Sequence, residues 1–303
     1  MKRSTSRRLL SRRDVLRAGL ALPIIGAAGT AASCAEPGPH GSADGGQSPL
    51  SSAANTTANQ AGTPAPRPAD IVARYNNASA HDWGLDLPGI VRTVDPNQKT
   101  IALTFDACGG QHGSLIDDAL IKFLQDQAVP ATLFWNKRWI EANQTRAHHL
   151  AQSPLFQIEN HGTMHKPLSV NGHAAYGIPG TANVAELVEE IEGNRQFLRE
   201  SLGVDSHWFR AGTAFYDDIA VQIARDLGVS LAGFAVNGDA GASLPGPVVA
   251  KNLKAATPGS IVLMHMNQPG HGTADGVTTA IPQLRAAGFT FVKLGAAPTA
   301  RQG

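Results

Sequence analysis

Ile101-Ala102-Leu103-Thr104-Phe105-Asp106 decides the fold, because it is a largely apolar short run that stops on a carboxylate. A run of this length reads as a buried strand of an α/β protein. An unpaired carboxylate at its end would be costly to bury, so Asp106 should sit in an ion pair or on a metal. Arg210 is the obvious partner, either as a plain structural salt bridge or as the group that orients a general base.

Working outward, three segments repeat the arrangement: His161-Gly162-Thr163-Met164-His165, Trp208-Phe209-Arg210-Ala211-Gly212 and Ile261-Val262-Leu263-Met264-His265. Each delivers an ionisable residue at or just past a predicted strand. The full set of predicted strands is 101–106, 131–135, 156–159, 207–210, 230–236, 260–265 and 289–294. Helical periodicity falls between them at 115–127, 139–152, 184–202, 217–227, 248–256 and 274–287. About seven strands alternating with helices predict an α/β chain with a parallel sheet, whose strand ends converge on one rim. Polar residues spread over five of those ends favour a distorted or incomplete (β/α) barrel over an open doubly wound sheet. Gly109-Gly110 is a lone glycine pair without a P-loop lysine, so no nucleotide site is indicated.

His161 and His165 stand four apart, so a helical turn would project both imidazoles to one side, where they can share one metal. His265 ends another buried strand, and Asp239, after the preceding one, is placed to hydrogen-bond its imidazole and keep it protonated for general-acid work. Trp135 and Trp139 fit core aromatics better than sugar platforms. His112, His173 and His271 lie in glycine-containing loops, and His148 and His149 look like surface.

Taken together and in this order, the motifs resemble the polysaccharide deacetylases of carbohydrate esterase family 4, the group with a NodB-homology domain, over roughly Ile101 to Leu294. The resemblance implies a hydrolase that removes acetyl groups from N-acetylated or O-acetylated sugars. It assigns Asp106 as catalytic base, Arg210 as its orienter, His265 as the acid, Asp239 as the residue tuning that acid, and the Thr213 backbone N–H as an oxyanion donor. It also assigns His161 and His165 to a divalent metal, zinc first, with cobalt or nickel as alternatives.

Three departures stand out. Ala107 replaces the metal-binding aspartate, so the set falls to two histidines and metal binding should be weakened. Cys108 cannot simply substitute, since in an extended strand it points to the side of Asp106 and away from that of residue 107, unless Gly109-Gly110 bends it. Gly162 for the usual Ser or Thr, and the missing proline two residues after Arg210, should loosen their loops. A glycan-binding protein that lost turnover, and a metal-poor amide hydrolase, are the rival readings.

The N-terminus is of another kind. Residues 1–33 resemble a twin-arginine export signal, with Arg12-Arg13, an apolar stretch from Ala18 and the tetrad Ala31-Ala32-Ser33-Cys34, which resembles a lipobox that would lipidate Cys34. Residues 34–70, rich in Gly, Ser, Ala and Pro, read as a disordered tether, and 71–303 as the catalytic domain. An exported protein, secreted or anchored in the cell membrane as a lipoprotein, is expected. Removing residues 1–33 leaves 18 Lys/Arg against 23 Asp/Glu, a net of about −5. That balance offers no footprint for nucleic acid; the expected partner is a carbohydrate, with membrane contact only through the lipid and a monomeric state. Two cysteines make no disulfide framework.

Overall fold

The computed structural model describes residues 66–295. The predicted signal, Cys34 and all but the end of the tether lie outside that range. The helix α1 (Pro68–Tyr75) begins three residues inside the stretch assigned to the tether, with a proline in its first turn where no N–H is missed. Two short strands follow, β1 (Trp83–Gly84) and β2 (Ile90–Val91).

The repeating part then runs β3 (Thr100–Ala107), α2 (Asp118–Asp126), β4 (Ala131–Trp135), α3 (Lys137–Ala142), α4 (Gln144–Ala151), β5 (Phe156–Asn160) and α5 (Val184–Leu202). It continues with β6 (Trp208–Phe209), β7 (Tyr216–Asp217), α6 (Asp218–Asp226), β8 (Ser230–Ala232), β9 (Val236–Asn237), α7 (Gly246–Lys254), β10 (Ile261–His265), α8 (Gly272–Ala286) and β11 (Thr290–Val292). Helix starts carry the side-chain caps expected of Asp and Asn. Asp117, Asn183 and Asp217 accept backbone N–H bonds at α2, α5 and α6.

Nine strands form the main sheet in the order β2-β8-β6-β5-β4-β3-β10-β9, with β11 beside the start of β3, and every pairing is parallel. Its ends are tied back together. The chain leaving β2 bridges from Thr93 to Ser260, Val94 N–H donates to the Gly259 carbonyl at 2.8 Å, and Ile261 N–H donates to that of Arg92 at 3.2 Å. This is the distorted (β/α) barrel that the alternating pattern implied. The strand count exceeds seven because β2 is too short to show a periodic pattern, and because the run 230–236 breaks into β8 and β9.

All eight residues of β3 are buried, and they sort by alternation. Ile101, Leu103, Phe105 and Ala107 join the larger apolar cluster, with α2, α3, α7 and α8. Ala102 faces the other way, into a small cluster with Phe134, Trp208, Ala232 and Ile261 that fills the barrel. A third cluster packs α1, α5 and α6 against β6 and β8. Even-numbered positions of β3 therefore point inward, which places Thr104 and Asp106 on the axis of the barrel.

Candidate active site

Parallel register brings the strand ends level. Asp106 is paired with His265 across β3 and β10, Ala107 with Trp135, Trp135 with Asn160, and Asn160 with Phe209, next to Arg210. Asp106, Arg210, His265 and the loop after Asn160 that carries His161 and His165, up to 159 positions apart in sequence, thus meet at one rim.

Arg210 is fully buried, and its Nη1 donates to Asp106 Oδ1 at 2.7 Å and to Thr104 Oγ1 at 2.9 Å. Its Nε and Nη2 donate to the carbonyls of Ala232 and Gly233, both at 3.1 Å, where β8 gives way to the bend before β9. The guanidinium also lies over the Phe134 ring, 4.3 Å from its centroid. With each of its three nitrogens engaged, Arg210 holds one oxygen of Asp106 and leaves Oδ2 turned toward His161 Nε2, 3.6 Å away.

His161 and His165 do converge, with ring centroids 4.8 Å apart and near-perpendicular planes, but no helical turn brings them together. They lie in a loop after β5, with Gly162 at φ +79° and His165 at φ +62°. That loop is pinned, contrary to the looseness expected from Gly162. The buried Glu190 of α5 accepts from Thr163 Oγ1 at 2.7 Å, Met164 N–H at 2.9 Å and Lys166 N–H at 3.0 Å. A Cβ on residue 162 would run into Glu190 Oε1, so the glycine is what lets the carboxylate in. Asn136 Nδ2 donates to the carbonyls of His161 and Gly162, and Asn160 Oδ1 accepts from Gly162 N–H. Gly212 is likewise no loosening. A side chain or proline ring there would meet the His165 carbonyl, so the absence of proline permits the close approach of the two loops.

His161 is buried, and its Nδ1 lies 2.7 Å from the carbonyl of Arg210, which fixes the proton on Nδ1 and turns Nε2 to the pocket. Burial disfavours its charged form, yet the Asp106 carboxylate and Cys108 outweigh burial and raise its pKa. Cys108 occupies the third position. Its Sγ is 3.8 Å from His161 Nε2, and the ligand atoms of Cys108, His161 and His165 all lie within 4.8 Å of one another. Cys108 shares its side with Asp106, as strand alternation requires, and that is the side the histidines occupy, while Ala107 faces the helices. Asp106 is not part of that trio. The donor set suits a divalent cation.

On the opposite side, His265 Nδ1 lies 2.9 Å from Asp239 Oδ1, the backbone N–H of His265 donates to Oδ2 at 2.7 Å, and Thr273 Oγ1 donates to Oδ2 at 2.8 Å. Burial alone would lower the imidazole's pKa, but the Asp239 charge and hydrogen bond hold it well above the ordinary value of 6.5. Asp239 is buried, which would raise it, and the same partnership keeps it below the usual carboxylate value.

A pocket of about 350 Å³ opens over these groups, lined by Cys108, His165 and His265 together with His112, Asn267 and Gln268. Asn267 was not anticipated. It is buried, donates through Nδ2 to the Gly113 carbonyl at 2.8 Å, and keeps Oδ1 without a partner among the described residues. Thr213 follows Gly212 with φ +93° and a buried Oγ1 that is also unpartnered among the described residues. Trp135 and Trp139 are core residues packed on each other at 5.0 Å, His173 stands against Trp83, and His148 and His149 are exposed. Glu190 and Asn136 were missed as well; Gly162, in place of Ser or Thr, was the one sequence mark of the first.

Residues 93–232 match the family model for polysaccharide deacetylase. The chain carries a polysaccharide deacetylase domain. Among curated proteins none matches it. Solved structures share the fold. The Bc1960 peptidoglycan N-acetylglucosamine deacetylase superposes with a TM-score of 0.57 at 22% identity, over 67% of this chain and 89% of that one. BA3943 from Bacillus anthracis, a CE4 family pseudoenzyme, gives 0.55 at 21%, over 69% and 68%. PdaA of Bacillus subtilis, a family 4 carbohydrate esterase, gives 0.55 at 16%, over 75% and 86%.

Proposed function

We propose that this polysaccharide deacetylase domain is an active, metal-dependent hydrolase that removes acetyl groups from an N-acetylated glycan outside the cytoplasm. The observation that carries the reading is the flanking of one histidine pair by two ion pairs, Arg210 with Asp106, which is buried, and His265 with Asp239, which is half-buried. A structural barrel end needs neither pair.

When bound, a divalent cation supplies a Lewis acid for the acyl oxygen and acidifies water. His161 and His165 would hold it. Asp106, kept in place through Oδ1 by Arg210, uses Oδ2 to take the proton of the attacking water. The Thr213 N–H faces the oxyanion, and Asn267 Oδ1 accepts from the substrate's amide or a hydroxyl. His265, charged and oriented by Asp239, gives its proton to the departing amine as the carbon–nitrogen bond breaks. Acetate and a free amino sugar result.

Residues 1–33 and Cys34 support export and lipid anchoring, which would place the domain near cell-wall glycans. Ala107 favours the second reading, a glycan-binding protein without turnover, because it removes the carboxylate that family members use. A panel of N-acetylated chito-oligomers and peptidoglycan, assayed for acetate before and after chelation and zinc restoration, separates the two. Zinc-restored release supports the hydrolase. Glycan binding with no release at any metal loading supports the second reading.

A further inference from the structure

The geometry points to Cys108 as the third protein ligand of the metal, its thiolate replacing the missing carboxylate and making a Cys-His-His centre selective for thiophilic cations. This rests on the metal-dependent reading above and deepens it.

Two independent observations support it. First, His161 Nδ1 is committed to the Arg210 carbonyl, so in the neutral ring Nε2 carries a lone pair. That lone pair faces Cys108 Sγ at 3.8 Å and Asp106 Oδ2 at 3.6 Å. Sulfur, nitrogen and carboxylate oxygen converge there, and with thiol and imidazole deprotonated a shared cation offsets the crowding of their lone pairs. Second, the spacing suits one. Tetrahedral zinc with ordinary Zn–S and Zn–N lengths separates sulfur from nitrogen by about 3.5 Å. The observed trio, within 4.8 Å throughout, needs only side-chain adjustment.

The alternation of β3 explains why cysteine serves here at position 108. Ala107 is packed in the helix-side cluster, and the next inward position after Asp106 is Cys108. A thiolate restores the negative charge that two imidazoles lack. It also changes the preference of the site: soft sulfur favours zinc and cobalt, whereas carboxylate sites accept magnesium and manganese more readily.

The test is the absorption spectrum of the full chain loaded with cobalt(II), with bound cobalt quantified in the same sample. A near-ultraviolet thiolate-to-cobalt charge-transfer band is expected at about one equivalent. It should persist in Cys34→Ser and vanish in Cys108→Ser. Cys108→Ser should also bind zinc about 100-fold more weakly, since loss of residues behind the ligands already costs about 10–100-fold. The wild-type spectrum needs no variant to fold. One equivalent of cobalt, lost in His161→Ala but bound without the band, would overturn the thiolate ligand and leave the metal-dependent reading standing. No cobalt or zinc bound to the wild type would overturn both.

Discussion

Glu190 and Gly162 occupy adjoining space, and each explains the other. A methyl group at residue 162 would strain a backbone at φ +79° and displace the carboxylate that holds the histidine loop. Gly162→Ala should therefore cost about 1–3 kcal/mol in urea denaturation and weaken zinc binding as well. At the other side of the pocket, Asp239 raises the pKa of His265 against the pull of burial. The sign follows directly. His265 stays protonated above pH 6.5, so the alkaline limb of the deacetylation profile should lie above that value. Asp239→Asn should move the limb toward lower pH and reduce kcat by about 10²-fold or more. An unmoved limb would take His265 out of the acid role.

At the scale of elements, β3 is the strand on which the site turns. Its odd positions face helices, so Ala107→Asp would bury a carboxylate among apolar side chains, at a cost of about 3 kcal/mol. Thermal unfolding of that variant checks it. The same alternation shows what could be read from sequence. β3, β4 and β10 are largely apolar runs, and the ends of β3, β6 and β10 announced Asp106, Arg210 and His265 because a buried charge there needs a reason. α5 was equally plain, with Asn183 capping one end and Gly203 in the left-handed region closing the other. The predicted helix over 139–152 breaks at Asn143, whose side chain turns to the Ser114 and Trp139 carbonyls. The histidine loop hid its geometry because Glu190, on a distant helix, sets it, and periodicity carries no trace of such a contact. For Cys108 the sequence left the question open, since strand alternation fixes which side it takes and not where the histidines stand.

For the molecule as a whole, closure of the barrel puts polar groups on its inside and makes stability depend on pH. Glu159 of β5 accepts from the His207 and Trp208 amides and from Gln157, and burial still pushes its pKa up to about 7. The folded state thus favours the protonated form. That contribution is complete below about 4.5 and is lost as pH rises to about 7, a change of about 3 kcal/mol at most. Wild-type Tm should fall between pH 5 and pH 8, and Glu159→Gln should flatten the fall. The central claim concerns the rim that closure creates, where residues 106, 161, 165, 210 and 265 form one hydrolytic centre. It is tested most directly by acetate release from N-acetylated glycans by zinc-loaded wild type and Asp106→Asn, with zinc measured in each sample. The wild type should release acetate, and Asp106→Asn should keep its zinc and lose about 10³-fold or more of the rate; an equally active Asp106→Asn, or a zinc-loaded wild type that releases none, would contradict the account.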